Sequence, residues 1–353
     1  MSSGRTLSRE AVAEVDVSGQ FAEVLGLPDH LRDALWRVES ANLKPHDSPG
    51  GLVIAGVGGS SAGGALARAA LGDAASRPIA LARDYALPGW TTPDTTVLCA
   101  SYSGNTEETL AAYDAAQALG ARTIVLTTGG KLAEQARIDG VPVIPMPGGF
   151  ESRAAIGYSL VVALEVAALC GAGESMRAEV DVAAEHAASL AASWGPDSSE
   201  GSLAKSLARG LHGTIPQIAG AALTAPVAYR WKTQINENAK APAFAAELPE
   251  LDHNELVGWD GASEFGSFSA VFLDDSDLHP RVRQRVELTR GLIASRGGAT
   301  FRIESIGQTR LQRLVSLVLL GDLVSLYLAA LRGVDPGPVT VVDSLRSALN
   351  GAE

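Results

Sequence analysis

Between residues 52 and 146 five short apolar runs, LVIAGV, PIALA, TVLCAS, TIVLTT and VPVIPM, alternate with longer Ala- and Leu-rich stretches. The runs are nearly continuous in apolar residues, so each is read as a strand buried on both faces, the kind found in parallel sheets. Strand, turn, helix and strand again marks a sheet covered by helices on both sides. A polar stretch, Trp194-Gly195-Pro196-Asp197-Ser198-Ser199, breaks the rhythm and is the expected linker. The rhythm then resumes. TIPQIAG, FSAVFLD and ATFRIES read as strands; APVAYRWKTQINENAK, Arg281–Ser295 and a final apolar stretch read as helices. The expectation is an α/β chain of two doubly wound parallel-sheet halves, 1–195 and 196–353, preceded by a helical segment from Ala11 to Glu39.

At 353 residues the chain is long enough for two such cores. Hydrophobic residues make up 46% and charged residues 19%, so burial is plentiful. The net charge of -12 argues against nucleic acid, which needs a basic face, but not against a small anion held locally. Cys99 and Cys170 lie in apolar runs and read as small buried hydrophobes. The opening residues lack a signal-peptide core, and the best apolar run, LVSLVLLGDLVSLYLAAL, is interrupted by Gly321 and Asp322. A cytoplasmic protein without a membrane span is expected.

Two turns rich in glycine and hydroxyl groups each follow a strand and open a helix: Gly56–Gly64 and Ser101–Thr109. In a parallel sheet both fall at the carboxyl edge, where open α/β folds bind ligands. Glycines admit an anion to the backbone, helix N–H groups point at it, and Ser60, Ser101, Ser103 and Thr106 add donors without charge. The plainer alternative is that Ser103 or Thr106 only caps its helix. A dinucleotide fold is a further rival, but its third glycine falls on Ser61 and no ribose-binding acid follows LARDY.

Three further residues have both plain and chemical readings. Glu237 points away from the apolar stripe of its helix and reads as a solvated glutamate beside Lys240 at i+3. His253 follows two prolines among Glu250, Asp252 and Glu255 and reads as a loop histidine whose protonated form is favoured. Arg153 precedes a helix, has no acid at i+4 and reads as a surface arginine. His279 is structural, at the head of a helix. No His or Cys partner lies at metal-ligand spacing from His253.

SYSGNTEET resembles the phosphate loop of SIS (sugar isomerase) domains, and of the bifunctional phosphoglucose/phosphomannose isomerases in particular. GVGGSS, ESRAAIGYSL, WKTQINENAKAP, LPELDHNELVGW, LHPRVRQRVELT and LGDLVSLYLA resemble further segments of that family in the same order. The resemblance implies two SIS-type, flavodoxin-like halves. It also implies a homodimeric enzyme, free of metal and cofactor, that interconverts glucose 6-phosphate and mannose 6-phosphate with fructose 6-phosphate. Gly59, Ser60, Ser101, Ser103 and Thr106 would hold the phosphate and Glu237 would be the base. His253 would open the ring from across the dimer interface, and Arg153 would stabilise the enediolate. Three positions depart from the family pattern: Ser61 replaces a glycine, Ala65 an acid, and Arg346 a lysine that helps at the sugar. They leave open a non-catalytic sugar-phosphate sensor; a nucleotide-dependent enzyme is the remaining alternative.

Overall fold

The structure, a computed structural model, describes residues 6–350. Three helices lead in: α1 (Arg9–Ala13), α2 (Gln20–Leu25) and α3 (Leu27–Ser40). The helical segment expected over Ala11–Glu39 is divided into these helices, at Gly19, whose φ is 75°, and at Gly26. The first sheet and its helices follow as β1 (Leu52–Ala55), α4 (Gly59–Leu71), β2 (Ile79–Ala82), β3 (Thr96–Ser101), α5 (Glu107–Leu119), β4 (Arg122–Thr127), α6 (Gly130–Asp139) and β5 (Val143–Pro145). Helices α7 (Ile156–Leu169), α8 (Arg177–Trp194) and α9 (Leu203–Leu211) lead to the second sheet. It comprises β6 (Ile215–Gly220), α10 (Ala225–Ala239), β7 (Phe244–Glu247), α11 (Ala262–Phe265), β8 (Phe268–Asp274), α12 (Pro280–Ser295) and β9 (Ala299–Glu304). Helices α13 (Arg310–Arg332) and α14 (Thr340–Asn350) complete the chain.

Every strand pair is parallel, in the orders β2-β1-β3-β4-β5 and β7-β6-β8-β9. The first is the flavodoxin-like order, and the second repeats its first four places. β7 was not legible in the sequence: FAAE is short, its burial is uneven, and it lies at a sheet edge.

Side chains alternate along each strand, so every sheet has two packed faces. Leu52 and Ile54 of β1 face an inner core, while Val53 and Ala55 face an outer one with Tyr113 of α5 and Leu132 of α6. In the second sheet Ala219 and Phe272 meet Val286 and Ile293 of α12 on the outside. Ile218 and Val271 turn to the same inner core that β1 faces. One helical layer containing α4, α7, α8, α10 and α13 is therefore shared by both sheets.

Helix α13 is the centre of that layer. Its start is fixed by a reciprocal cap: Thr309 Oγ1 accepts from the Gln312 amide at 3.2 Å, and Gln312 Oε1 accepts from the Thr309 amide at 2.9 Å. Gly333, with φ 69°, ends it. By length and composition alone this helix could cross a membrane, but 94% of its most apolar window is buried within the fold. Gly321 is required where α10 crosses: a Cβ there would lie 2.1 Å from Trp231 Nε1, which donates to the Leu317 carbonyl at 2.8 Å.

Candidate active site

The order β2-β1-β3 places the chain reversal between β1 and β3, where the two glycine turns emerge side by side. Gly58, with φ 58°, feeds directly into α4, and no side chain caps that helix. Thr106 stands at the N-cap of α5 but does not cap it either. Its Oγ1 lies 2.9 Å from Ser101 Oγ, which also accepts from the Gly104 amide at 3.1 Å. Ser103 Oγ accepts from the Asn105 amide at 3.2 Å. The hydroxyls shape the turn and leave the first amides of both helices without a side-chain acceptor, as an anion-receiving terminus requires.

A third turn, unread in the sequence, locks this one in place. A Cβ on Gly104 would fall 1.8 Å from the Gly129 carbonyl, and one on Gly130 would fall 2.4 Å from the Ser103 carbonyl. Asn105 Oδ1 accepts from the Lys131 amide at 3.1 Å, and Thr128 Oγ1 donates to the Tyr102 carbonyl at 2.7 Å. The signal available was the TTGG run directly after a strand, a second-rank glycine turn at the same edge.

The first turn abuts the arginine segment. A Cβ on Gly59 would lie 2.8 Å from the Ser152 carbonyl and 3.4 Å from Arg153 Cα. Arg153 is not a surface residue: its side chain is 4% exposed. Its Nε donates to Asn238 Oδ1 at 2.7 Å, and its Nη2 donates to the carbonyls of Pro336 and Gly337, both at 2.8 Å. Only Nη1 faces carboxylates, with Glu151 Oε2 at 3.2 Å and Glu237 Oε2 at 3.7 Å. Sequence inspection missed this burial because the partners lie far along the chain.

Glu237 occupies the last turn of α10 with its side chain 39% exposed. The expected pairing with Lys240 is different in kind. Lys240, left-handed at φ 53°, donates its ammonium to the carbonyls of Glu237 and Pro336, not to the carboxylate. Burial, with Arg153 nearby, lowers its pKa. On the other side Glu23 accepts from the Glu151 amide at 3.3 Å, and burial raises its pKa. A cleft of about 820 Å³ opens beside Glu237, lined also by Lys232, Asn236, Phe244 and the start of α14.

Two sequence-predicted residues do not join this group within the chain. His253 is exposed on the short turn Glu250–His253 that follows β7, whereas Glu237 ends the helix that precedes β7. The two therefore sit at opposite ends of a four-residue strand, about 13 Å of chain at the ~3.3 Å rise of a parallel strand. Its neighbour Asp252 is committed to Arg285 at 3.1 Å and Thr289 at 2.8 Å. Arg346, expected near the sugar, is 70% exposed on α14 and lies 3.6 Å from Asp343.

Of the departures, Ser61 accepts from Arg83 Nε at 2.6 Å and so turns towards the end of β2. Ala65 is buried in α4. The corresponding edge of the second sheet carries acids instead of a glycine turn. Asp274 there binds Arg302, and Asp275 binds Arg313 at 2.9 Å and Ser305 at 2.6 Å.

The class follows from the comparison with known proteins. A family model described as the bacterial phospho-glucose isomerase C-terminal SIS domain matches residues 200–349. A hypothetical protein of Thermus thermophilus superposes with a TM-score of 0.74 at 16% identity, over 98% of this chain and 94% of its own. The fold is that of paired SIS domains.

Within that class, a bifunctional phosphoglucose/phosphomannose isomerase of Caldicellulosiruptor bescii is 40% identical over 93% of this chain and 98% of the relative. One of Aquifex aeolicus is 34% identical over 89% and 94%. The chain belongs to the bifunctional phosphoglucose/phosphomannose isomerase family.

Proposed function

We propose that this protein interconverts glucose 6-phosphate and mannose 6-phosphate with fructose 6-phosphate by proton transfer through an enediolate. The observation that carries the reading is the Arg153–Glu237 pair, with Arg153 set against the uncapped start of α4. The phosphate sits at Gly59, Ser60, Ser101, Ser103 and Thr106, anchoring the open-chain sugar at the first sheet. The Glu237 carboxylate takes the proton from C2. The electron pair left behind forms the C1–C2 double bond, and the carbonyl oxygen O1 becomes anionic beside Arg153 Nη1. The O2 hydroxyl proton then passes to O1, and as O2 collapses to a carbonyl the C1–C2 double bond takes the proton back from Glu237 at C1, which gives the ketose. Both aldoses yield the same planar intermediate, which accounts for two substrates in one site.

Ring opening falls to the partner subunit's His253, since His253 of the same chain stands at the far end of β7. The working unit is then a cytoplasmic homodimer, with residues 1–195 binding phosphate and 196–353 supplying Glu237 and His253. Arg346 keeps the positive charge of the lysine it replaces but not its compact ammonium. No metal, cofactor, nucleic acid or membrane enters the scheme.

A coupled assay with each aldose 6-phosphate, with and without EDTA, tests the activity. Turnover of both, unchanged by EDTA, is expected. Tight binding without proton exchange at C1 or C2 would return the sensor reading. Mixing inactive Glu237→Gln and His253→Ala protomers tests the shared site. Activity should return, because one of the two sites in a hybrid dimer is intact.

A further inference from the structure

We infer that Asn238, together with the buried Arg230–Asp322 pair, positions Arg153 for the proposed reaction. This rests on the functional reading above but concerns residues to which it gives no role.

Helix α10 carries Arg230, Gln234 and Asn238 at successive i+4 places, one polar row on a face that otherwise packs into the core. Opposite it, α13 presents Asp322 and Ser325 within its longest apolar run. Arg230 grips Asp322 with two bonds, Nε to Oδ1 at 2.9 Å and Nη2 to Oδ2 at 2.7 Å. The same Nη2 donates to the backbone carbonyl of Arg153 at 3.0 Å.

Asn238 holds the other end. Its Oδ1 accepts from Arg153 Nε, while its Nδ2 donates to Ser325 Oγ at 2.9 Å and Gln234 Oε1 at 3.3 Å. Ser325 Oγ in turn donates to the Asp322 carbonyl at 2.6 Å. The Asn238 oxygen faces a donor and its nitrogen faces two acceptors, so its amide has one orientation. With the carbonyls of Pro336 and Gly337 on Nη2, the guanidinium is fixed at its main chain, at Nε and at Nη2. Nη1 is left facing the two carboxylates, donating to Glu151 Oε2 at 3.2 Å with Glu237 Oε2 at 3.7 Å.

A buried ion pair is a poor source of stability. Well-packed apolar replacements of both partners are often neutral or stabilising, whereas removing one charge is severe. Folding therefore gives little reason for Arg230 and Asp322 to stand at the centre of the apolar layer. Orientation of Arg153 gives one, because a misplacement of about 1 Å in a reacting group can cost on the order of 100-fold in rate.

The test compares wild type with the double variant Arg230→Met/Asp322→Leu and with Asn238→Ala and Asn238→Asp. Each is measured for kcat and KM on fructose 6-phosphate and for thermal melting. The double variant should melt near wild type, keep its KM and lose about 10- to 100-fold in kcat. Asn238→Ala should show the same split. Asn238→Asp, which restores an acceptor for Arg153 Nε, should recover most of the lost kcat. A folded double variant with wild-type kcat overturns the inference. If the double variant does not fold, equal kcat in Asn238→Ala and Asn238→Asp overturns it instead. An inactive wild-type protein would remove the functional reading first, a result distinct from either.

Discussion

Arg153 Nη1 lies 3.7 Å from Glu237 Oε2, within ion-pair range but beyond a hydrogen bond. The two groups face one another without a direct hydrogen bond, Nη1 donating instead to Glu151 Oε2 at 3.2 Å. Replacing the carboxylate with an amide of the same shape separates binding from chemistry. Glu237→Gln should bind hexose 6-phosphates nearly as wild type and turn them over about 10²- to 10⁴-fold more slowly. A proton NMR time course in deuterated buffer reads this directly, since deuterium at C2 of glucose 6-phosphate appears only if a base works. Wild-type exchange would make Glu237 an ordinary surface carboxylate.

The hydroxyls of the second glycine turn predict an effect on affinity more than on folding. Among the described residues the hydroxyls of Ser103 and Thr106 bond only within their own turn. A hydrogen bond to a charged phosphate is worth roughly 1.5–3 kcal/mol. Ser103→Ala and Thr106→Ala should each raise the KM for 6-phosphates by about one to two orders of magnitude, with thermal melting near wild type. Unchanged KM together with earlier melting would reduce these residues to shaping the loop.

The crossing of α10 over α13 predicts a stability effect with no substrate involved. In Gly321→Ala the added methyl would meet the Trp231 ring at 2.1 Å, and the indole N–H would have to leave the Leu317 carbonyl. Overpacking of this kind costs about 1–3 kcal/mol, and a lost buried hydrogen bond adds to it. Denaturant titration should give a clearly lower midpoint; an unchanged one would mean that the helices slide apart without penalty.

A pH dependence follows from Glu23, which burial holds above the ordinary carboxylate value of 4.5. Between that value and its raised native pKa, the folded protein binds more protons at this site than the unfolded chain does. Stability from this group is therefore complete below about pH 4.5 and falls as pH rises through the native pKa. Glu23→Gln keeps an acceptor for the Glu151 amide without the charge. It should raise the melting temperature at neutral pH, with the gain disappearing as pH falls below about 4.5. A gain of equal size at every pH would point to packing instead.

The parallel sheets were legible because strands buried on both faces carry apolar runs that survive as local patterns. Both glycine turns were legible for a similar reason, each being a contiguous segment. Arg153 was not: its partners Asn238, Pro336 and Gly337 lie 85, 183 and 184 residues away, so nothing local marks it as buried. Asp322 looked like an interruption of an apolar helix because its partner is 92 residues distant. Arg346 shows the opposite case, a pattern match whose side chain stands in solvent. Glu237 is intermediate. Its helix and its outward direction could be read, but its arginine lies on another element.

The residues between α8 and α9 look in sequence like a joint, yet they are fastened to the layer that both sheets share. Tyr327 of α13 donates to the Trp194 carbonyl at 2.7 Å, and the Lys205 ammonium donates to the carbonyls of Pro196 and Ser198 at 2.9 and 2.7 Å. With α13 packed on helices from both sides of that joint, neither sheet has a complete inner face of its own. Severing the backbone between 195 and 202 should leave two fragments that stay associated and, once parted, refold only on remixing. The intact molecule should melt as a single calorimetric event, so that a lesion in either sheet is felt throughout the protomer.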